Sequence, residues 1–187
     1  MRNNILITGI TGQVGSQLAD YILENTDLDV VGMMRWQEPL DNLYHLTDRI
    51  NKKDRISLYY ADLNDSGSVR DMIEKVQPRY ISHLAAQSYP KTSFDIPIET
   101  LQTNIIGTAN LINSAIINKV KYNVIITTDK CYANNETNIS FKENAPLGGN
   151  DPYSSSKACA EIISKALSKS YGVKNLYVDT VRAGNIL

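Results

Sequence analysis

Ile5-Leu6-Ile7-Thr8-Gly9-Ile10-Thr11-Gly12-Gln13-Val14-Gly15 is a short apolar, branched run leading into a glycine loop, and a helix-like stretch from Ser16 to Asn25 follows it. The order is strand, loop, helix. Glycines at 9, 12 and 15 remove side chains where a backbone must approach a pyrophosphate. The N-terminus of the next helix offers unpaired N–H groups and the positive end of its dipole to the same anion. A dinucleotide is the natural ligand of such a loop, with Gly9, Gly12, Gln13, Val14 and Gly15 as its contacts.

Outward from the loop the pattern recurs. Apolar or β-branched runs at 5–8, 30–34, 57–61, 80–84, 124–127 and 176–181 predict strands, and helix-like stretches at Ser66 to Val76, Ile98 to Lys119 and Tyr153 to Tyr171 alternate with them. This alternation predicts an α/β chain built on a doubly wound parallel sheet of about six strands, the Rossmann fold. Ligands of such sheets bind beyond the carboxyl ends of the strands, where Gly9, Arg35, Asp62, Ala85 and Thr128 would all fall. Asn134 to Asp151, rich in Asn, Gly and Pro, reads as a loop ahead of the Tyr153 helix, bordering a pocket.

A length of 187 residues suits one domain with a substantial core. Nineteen basic against 20 acidic residues leave a net charge of -1, so no basic field recruits nucleic acid or an anionic membrane. Neither is an expected partner. Two cysteines give no disulfide framework, no signal-peptide pattern precedes Ile5, and no apolar run approaches the roughly 20 residues of a membrane span. The expected compartment is the cytoplasm. His45 and His83 are not spaced as a metal pair, so no metal is expected. Cys131 reads as a packed thiol.

The residue after the second strand discriminates between cofactors. A carboxylate there binds the ribose 2′-OH of NAD, whereas a cation accommodates the extra phosphate of NADP. Arg35 occupies that position, making NADP the expected cofactor and NAD the alternative. Trp36 either stacks near the adenine or covers the loop. Asn104 either hydrogen-bonds backbone near the site or faces solvent.

Two segments carry candidate chemistry, Thr127-Thr128-Asp129-Lys130-Cys131-Tyr132 and Tyr153-Ser154-Ser155-Ser156-Lys157. Tyr153 and Lys157 stand four apart on a helix and share a face. A neighbouring ammonium favours a phenolate, so the Tyr153 pKa is expected to fall from about 10 toward a value useful for proton transfer.

Taken in order, the glycine loop, Ala61-Asp62-Leu63, His83-Leu84-Ala85-Ala86-Gln87-Ser88, Thr103-Asn104-Ile105-Ile106-Gly107-Thr108, the Tyr153/Lys157 pair and Arg182-Ala183-Gly184-Asn185 resemble the extended short-chain dehydrogenase/reductases, within them the nucleotide-sugar 4,6-dehydratases. The stretch Arg35-Trp36, Pro39 to Asn42, His45-Leu46 and His83 to Ser88 is similar to GDP-mannose 4,6-dehydratases. Thr128 to Tyr132, Glu143 to Gly149 and Asp151 to Lys157 resemble CDP-glucose 4,6-dehydratases. The resemblance implies a nucleotide-sugar substrate and a homo-oligomer when full length. It also implies a smaller substrate domain beyond the segment ending at Leu187, absent from this chain.

The same resemblance implies roles. Asp62 and Leu63 contact the adenine, Ala85 and Ala86 let the backbone pass the cofactor, and Ser88 and Asn185 contact the substrate. Tyr153 is the acid/base of the first oxidation, Lys157 holds the nicotinamide ribose and keeps Tyr153 acidic, and Thr128 bonds the developing oxyanion or orients Tyr153. Asp129 protonates the departing C6 hydroxyl and Lys130 takes the C5 proton, for which burial and nearby cations must lower its pKa from about 10.4. Epimerisation or ketoreduction needs no such pair beside Thr128. A non-catalytic dinucleotide-binding protein is the other reading.

Overall fold

Leu6 and Ile7 are neighbours in sequence yet enter two separate cores, because successive residues of a strand point to opposite faces of its sheet. The computed structural model describes residues 3–134, 140–171 and 176–185. Among these, strands β1 (Asn4–Thr8), β2 (Asp29–Met34), β3 (Ile56–Tyr60), β4 (Tyr80–His83), β5 (Tyr122–Thr128) and β6 (Tyr177–Ala183) pair in parallel in the order β3-β2-β1-β4-β5-β6. This is the expected doubly wound sheet. Its order reverses between β1 and β4, and the crevice there is where such folds bind ligands.

Helices α1 (Gln13–Asn25) and α2 (Thr47–Lys52), joined to a 3-10 turn at Asp41–Leu46, flank one face, where Ile7, Ile10, Ala19, Ile22, Leu23, Leu43 and Leu46 close a core. Helix α3 (Ser66–Val76) packs on the other face with the later helices, around Leu6, Met33, Met72, Ile73, Ile81 and Leu111. Asp65 caps α3 by accepting from the Gly67 and Ser68 N–H groups, an arrangement worth about 1 kcal/mol. Gln77, at φ 48°, ends it in the left-handed region.

The single helix expected over Ile98 to Lys119 is interrupted. After α4 (Pro90–Asp95) come α5 (Pro97–Leu101), a π-helical turn (Gln102–Ile106) and α6 (Gly107–Ile117). A π turn carries one residue more than the helix on either side, and such bulges gather at functional sites. Here it turns Asn104 inward, 2% exposed. The last helix, α7 (Pro152–Tyr171), lies against α6 and β5.

Asn123, Ile125 and Thr127 of β5 are buried, and Thr180 and Arg182 of β6 reach Glu161 of α7, which identifies the covered face of these strands. The opposite face leaves Val124 and Val181 exposed, and β6 pairs only with β5 among the described residues. Tyr80, Tyr122 and Tyr177, which begin β4, β5 and β6, stack in a row with ring centroids 5.3 Å apart. Among the described residues no helix is long and apolar enough to cross a membrane.

The tightest packing constraint falls in the glycine loop. A Cβ on Gly15 would lie 2.2 Å from the Gly9 carbonyl oxygen, a backbone atom that cannot rotate away. Gly15→Ala is therefore expected to cost about 1–3 kcal/mol and to lower Tm by roughly 5 °C for a chain of this size, while abolishing dinucleotide binding. Calorimetric melting and titration check both effects.

Candidate active site

The loop after β1 is drawn close to the end of β4. Gly9 has φ +71°, and a Cβ there would stand 2.8 Å from the Ala85 nitrogen. The Gly12 N–H closes a turn on the Gly9 carbonyl at 3.0 Å. Gly12 is also the N-cap of α1 and brings no side chain to the first-turn N–H groups, which stay available to an anion. This cradle of backbone donors with no room for Cβ atoms fits a pyrophosphate. Gln13 and Val14 open α1 at the same place.

A buried relay ties this loop to α7. His83 is 3% exposed, and its Nε2 and Nδ1 lie 3.0 Å from the Thr108 hydroxyl and 2.7 Å from the Thr8 hydroxyl. Thr108 gives its own proton to the Asn104 carbonyl, so it accepts from Nε2–H; Nδ1 then accepts from Thr8, whose oxygen accepts from the Ala85 N–H. Burial, with the nearby Lys157 charge, lowers the His83 pKa to about 3, leaving the ring neutral. Asn104 continues the path: its amide oxygen accepts from the Gln87 N–H, and its amide nitrogen donates to the Gln87 carbonyl and the Ser156 hydroxyl. Of the two readings of Asn104, backbone bonding near the site is the one observed.

At the mouth of β5, Thr128 caps a 3-10 turn formed by Asp129–Cys131. Its hydroxyl donates to the Asp129 carboxylate at 3.1 Å, accepts from the Lys130 N–H at 3.3 Å and shares a side-chain hydrogen bond with the Tyr153 phenol. Asp151 caps the start of α7 through the Ser154 N–H and hydroxyl. Thr128, Asp129, Lys130 and Tyr153 are thus brought together. Asp129, Lys130, Asp151 and Ser154 line one cavity of about 600 Å³ with Tyr132 and Phe141.

The electrostatics depart from expectation. Burial raises the Tyr153 pKa, the Thr128 hydrogen bond lowers it in part, and the Asp129 and Asp151 charges raise it further. Lys157 does not offset this, because it is buried with its ammonium donating to the Ile126 carbonyl at 2.7 Å. Its own pKa falls to about 8, chiefly through burial. Lys130 is exposed, without the burial expected of a neutral amine. Cys131 is fully buried, and burial raises its thiol pKa, as a packed thiol requires.

At the far end of the crevice Arg35, Trp36, Tyr60 and Asp62 line a cavity of about 490 Å³. Trp36 is 72% exposed and meets Tyr60 edge to face. One carboxylate oxygen of Asp62 accepts from the Asn64 N–H. Leu63 is buried, with its carbonyl taken by Asn110, and Ala85 and Ala86 are half-buried. Ser88 is exposed next to Gln87, and Asn185 is exposed next to Gly184, where a Cβ would stand 3.7 Å from the Asp129 carboxylate.

Sequence reasoning missed Glu161. It follows Tyr153 and Lys157 at the same spacing of four, and a carboxylate on that buried helix face demands a partner, which was the available signal. Arg182 supplies one, its Nε and Nη2 donating to the carboxylate at 3.0 and 2.8 Å, with Thr127 and Thr180 donating as well. Burial pushes the Glu161 pKa up, but these four bonds outweigh it and hold the group below the usual carboxylate range. The guanidinium also lies 4.7 Å over the Tyr132 ring, which stacks on Phe141, and donates to the Glu143 carbonyl. One ion pair thereby braces β6, α7 and the wall of the larger cavity. Among the described residues, no cluster of three or more His, Cys, Asp and Glu is placed to hold a metal ion.

A family model described as GDP-mannose 4,6 dehydratase matches residues 6–181. The chain belongs to this family. CDP-glucose 4,6-dehydratase from Salmonella typhimurium is 34% identical, covering 98% of this chain and 52% of that protein. Human GDP-mannose 4,6 dehydratase is 33% identical, with 92% and 48% covered. Among solved structures, dTDP-glucose 4,6-dehydratase from Streptomyces venezuelae with NAD bound superposes with a TM-score of 0.82 at 26% identity, covering 97% of this chain and 55% of that one. The chain spans about half the length of these proteins.

Lys157 makes a measurable prediction. Its folded pKa of about 8 lies below the unfolded value of 10.5, so between those pH values the unfolded state binds more protons and stability rises with pH. The full rise is roughly 3 kcal/mol. Lys157→Met is expected to raise Tm at pH 7 and to remove this component of the rise, as melting from pH 7 to 10 will show.

Proposed function

We propose that this chain is the cofactor-binding and catalytic part of a nucleotide-sugar 4,6-dehydratase, similar to the CDP-glucose enzymes, that forms a 4-keto-6-deoxy sugar by internal hydride transfer and loss of water. The observation that carries the reading is the setting of Asp129 and Lys130 beside Thr128 and buried Tyr153. Oxidation alone requires the Thr, Tyr and Lys set, whereas elimination across C5 and C6 requires a further acid and base next to it. GDP-mannose as substrate is the second reading, favoured by the family model.

A bound nicotinamide would supply the hydride chemistry, uptake from C4 and return to C6. Tyr153 as phenolate takes the C4 hydroxyl proton, with Thr128 bonding its oxygen and Lys157 holding the nicotinamide ribose. Asp129 gives a proton to the departing C6 hydroxyl. Lys130 takes the C5 proton and later returns it. Each cycle leaves Tyr153 one proton richer and Asp129 one poorer. Thr128, whose hydroxyl bonds to both side chains, gives the path by which that proton returns.

In the cofactor site, Gly9, Gly12, Gln13, Val14 and Gly15 hold the pyrophosphate, Asp62 and Leu63 meet the adenine, and the backbone at Ala85 and Ala86 passes the nicotinamide half. Arg35 contacts the 2′-phosphate of NADP, the preferred cofactor. Ser88 and Asn185 touch the sugar. The full-length protein works as a homo-oligomer in the cytoplasm. By resemblance, the groups that grip the nucleotide belong to the part of the relatives that this chain does not span. The 187 residues alone should therefore bind cofactor with little turnover, since positioning supplies roughly 7–11 kcal/mol of such a barrier.

Incubating the full-length protein with CDP-glucose and, separately, GDP-mannose tests the assignment, and absence of a 4-keto-6-deoxy product from both rejects it. Tyr153→Phe is expected to lower turnover about 10²–10⁴-fold by blocking the first oxidation. Lys130→Ala should permit C4 oxidation and accumulate reduced cofactor carrying deuterium from C4-labelled substrate. Normal product formation by that variant removes Lys130 from the role of base.

A further inference from the structure

We propose that Glu38 is a second determinant of cofactor choice, restraining Arg35 so that the site separates a 2′-phosphate from a 2′-hydroxyl only weakly. This deepens the dinucleotide reading of the cavity beyond β2 and rests on it. The chain leaves β2 at Met34 and turns at once. Gln37 adopts φ +61°, and the Glu38 N–H comes within 3.4 Å of the Arg35 carbonyl. The turn folds the Glu38 side chain back onto the residue three before it. One carboxylate oxygen accepts from the Arg35 backbone N–H at 3.0 Å, and the other accepts from the Arg35 guanidinium at 3.1 Å.

The pairing differs from an ordinary surface ion pair, in which two long side chains must both be ordered and the gain is small. Here the backbone bond fixes the carboxylate first, and its side chain is only 20% exposed. Arg35 remains 68% exposed and lines the cavity with Glu38, Trp36, Tyr60 and Asp62. Two opposite chemistries therefore meet in one corner. A 2′-phosphate carries roughly -1.5 to -2 charge at neutral pH and needs the guanidinium, yet it finds that cation already shared and an anion within a few ångströms. A 2′-hydroxyl instead donates a hydrogen bond to a carboxylate, and Glu38 presents one beside Arg35 in the same cavity. Arg35 favours NADP, Glu38 opposes it, and the preference that results is small.

Titration calorimetry of the 187-residue chain tests this with adenosine 2′,5′-bisphosphate and AMP, which differ only in the 2′ group and fill only this end of the site, alongside NADP and NAD. The two affinities within each pair should lie within about tenfold in the unsubstituted chain. Glu38→Gln should favour the bisphosphate over AMP by about a further tenfold, the size of one charge-assisted contact, and Arg35→Gln should reverse the preference. Glu38→Ala carries the same expectation as Glu38→Gln if circular dichroism shows the glutamine variant to be misfolded. Ratios unchanged to within about twofold in a folded Glu38 variant overturn the proposal. Failure of the unsubstituted chain to bind any of the four ligands overturns the dinucleotide reading of the cavity, and this proposal with it.

Discussion

The site depends on a histidine that never titrates in the working range. Held neutral by burial, His83 donates on one side and accepts on the other, so its ring is a rigid spacer between β1 and the helical layer. Thr8 on one end sets the height of the Ala85 backbone, against which the glycine loop is packed. Thr108 on the other end is bonded to Asn104, and Asn104 to Gln87 and to Ser156, one helical turn from Tyr153. The glycine loop and the start of α7 are thereby set relative to each other by hydrogen bonds that water cannot compete for. Burial and the nearby Lys157 charge exclude the protonated ring, so Nδ1 stays free to accept from Thr8.

Helix α7 concentrates the cost of function along one stripe. Tyr153, Lys157 and Glu161 succeed one another on its buried face, and each is a group that burial penalises when charged. They are treated differently. Glu161 keeps its charge because four donors surround it. Lys157 has a single backbone carbonyl and becomes a weaker base. Tyr153 has one hydroxyl partner and becomes a weaker acid. Stability is drawn from the Glu161 end of the stripe, and the sparsely partnered, pKa-shifted groups are held at the Tyr153 end.

Most of the framework is legible in the sequence, because strands and helices are encoded by periodicity and the glycine loop by backbone sterics. The bounds of α3, Ser66 to Val76, were readable to the residue from its helical pattern alone, although Gln77 ends it in the left-handed region without announcing this in the sequence. The break in the fourth crossover was not. Residues 98–119 have the composition of one helix, and the π turn exists because Asn104 has partners distant in the chain at Gln87 and Ser156. The acidity of Tyr153 was misread for a related reason: spacing places Lys157 on the same face, but only packing shows its ammonium captured by Ile126. Glu38 was invisible because its partnership needs Gln37 in the left-handed region, which a non-glycine residue does not announce. Part of the loop from Asn134 to Asp151, at 135–139, lies outside the described residues.

Trp36 gives the molecule an optical property that nothing in its chemistry requires. It is the single tryptophan among 187 residues, and it sits at the rim of the cavity beyond β2, mostly in water and edge-on to Tyr60. The stacked row of Tyr80, Tyr122 and Tyr177 begins its strands at the opposite end of the sheet. Red-edge excitation therefore interrogates one corner of one crevice without contribution from the core, and the chain carries its own fluorophore at the rim of the cavity lined by Arg35, Glu38 and Asp62.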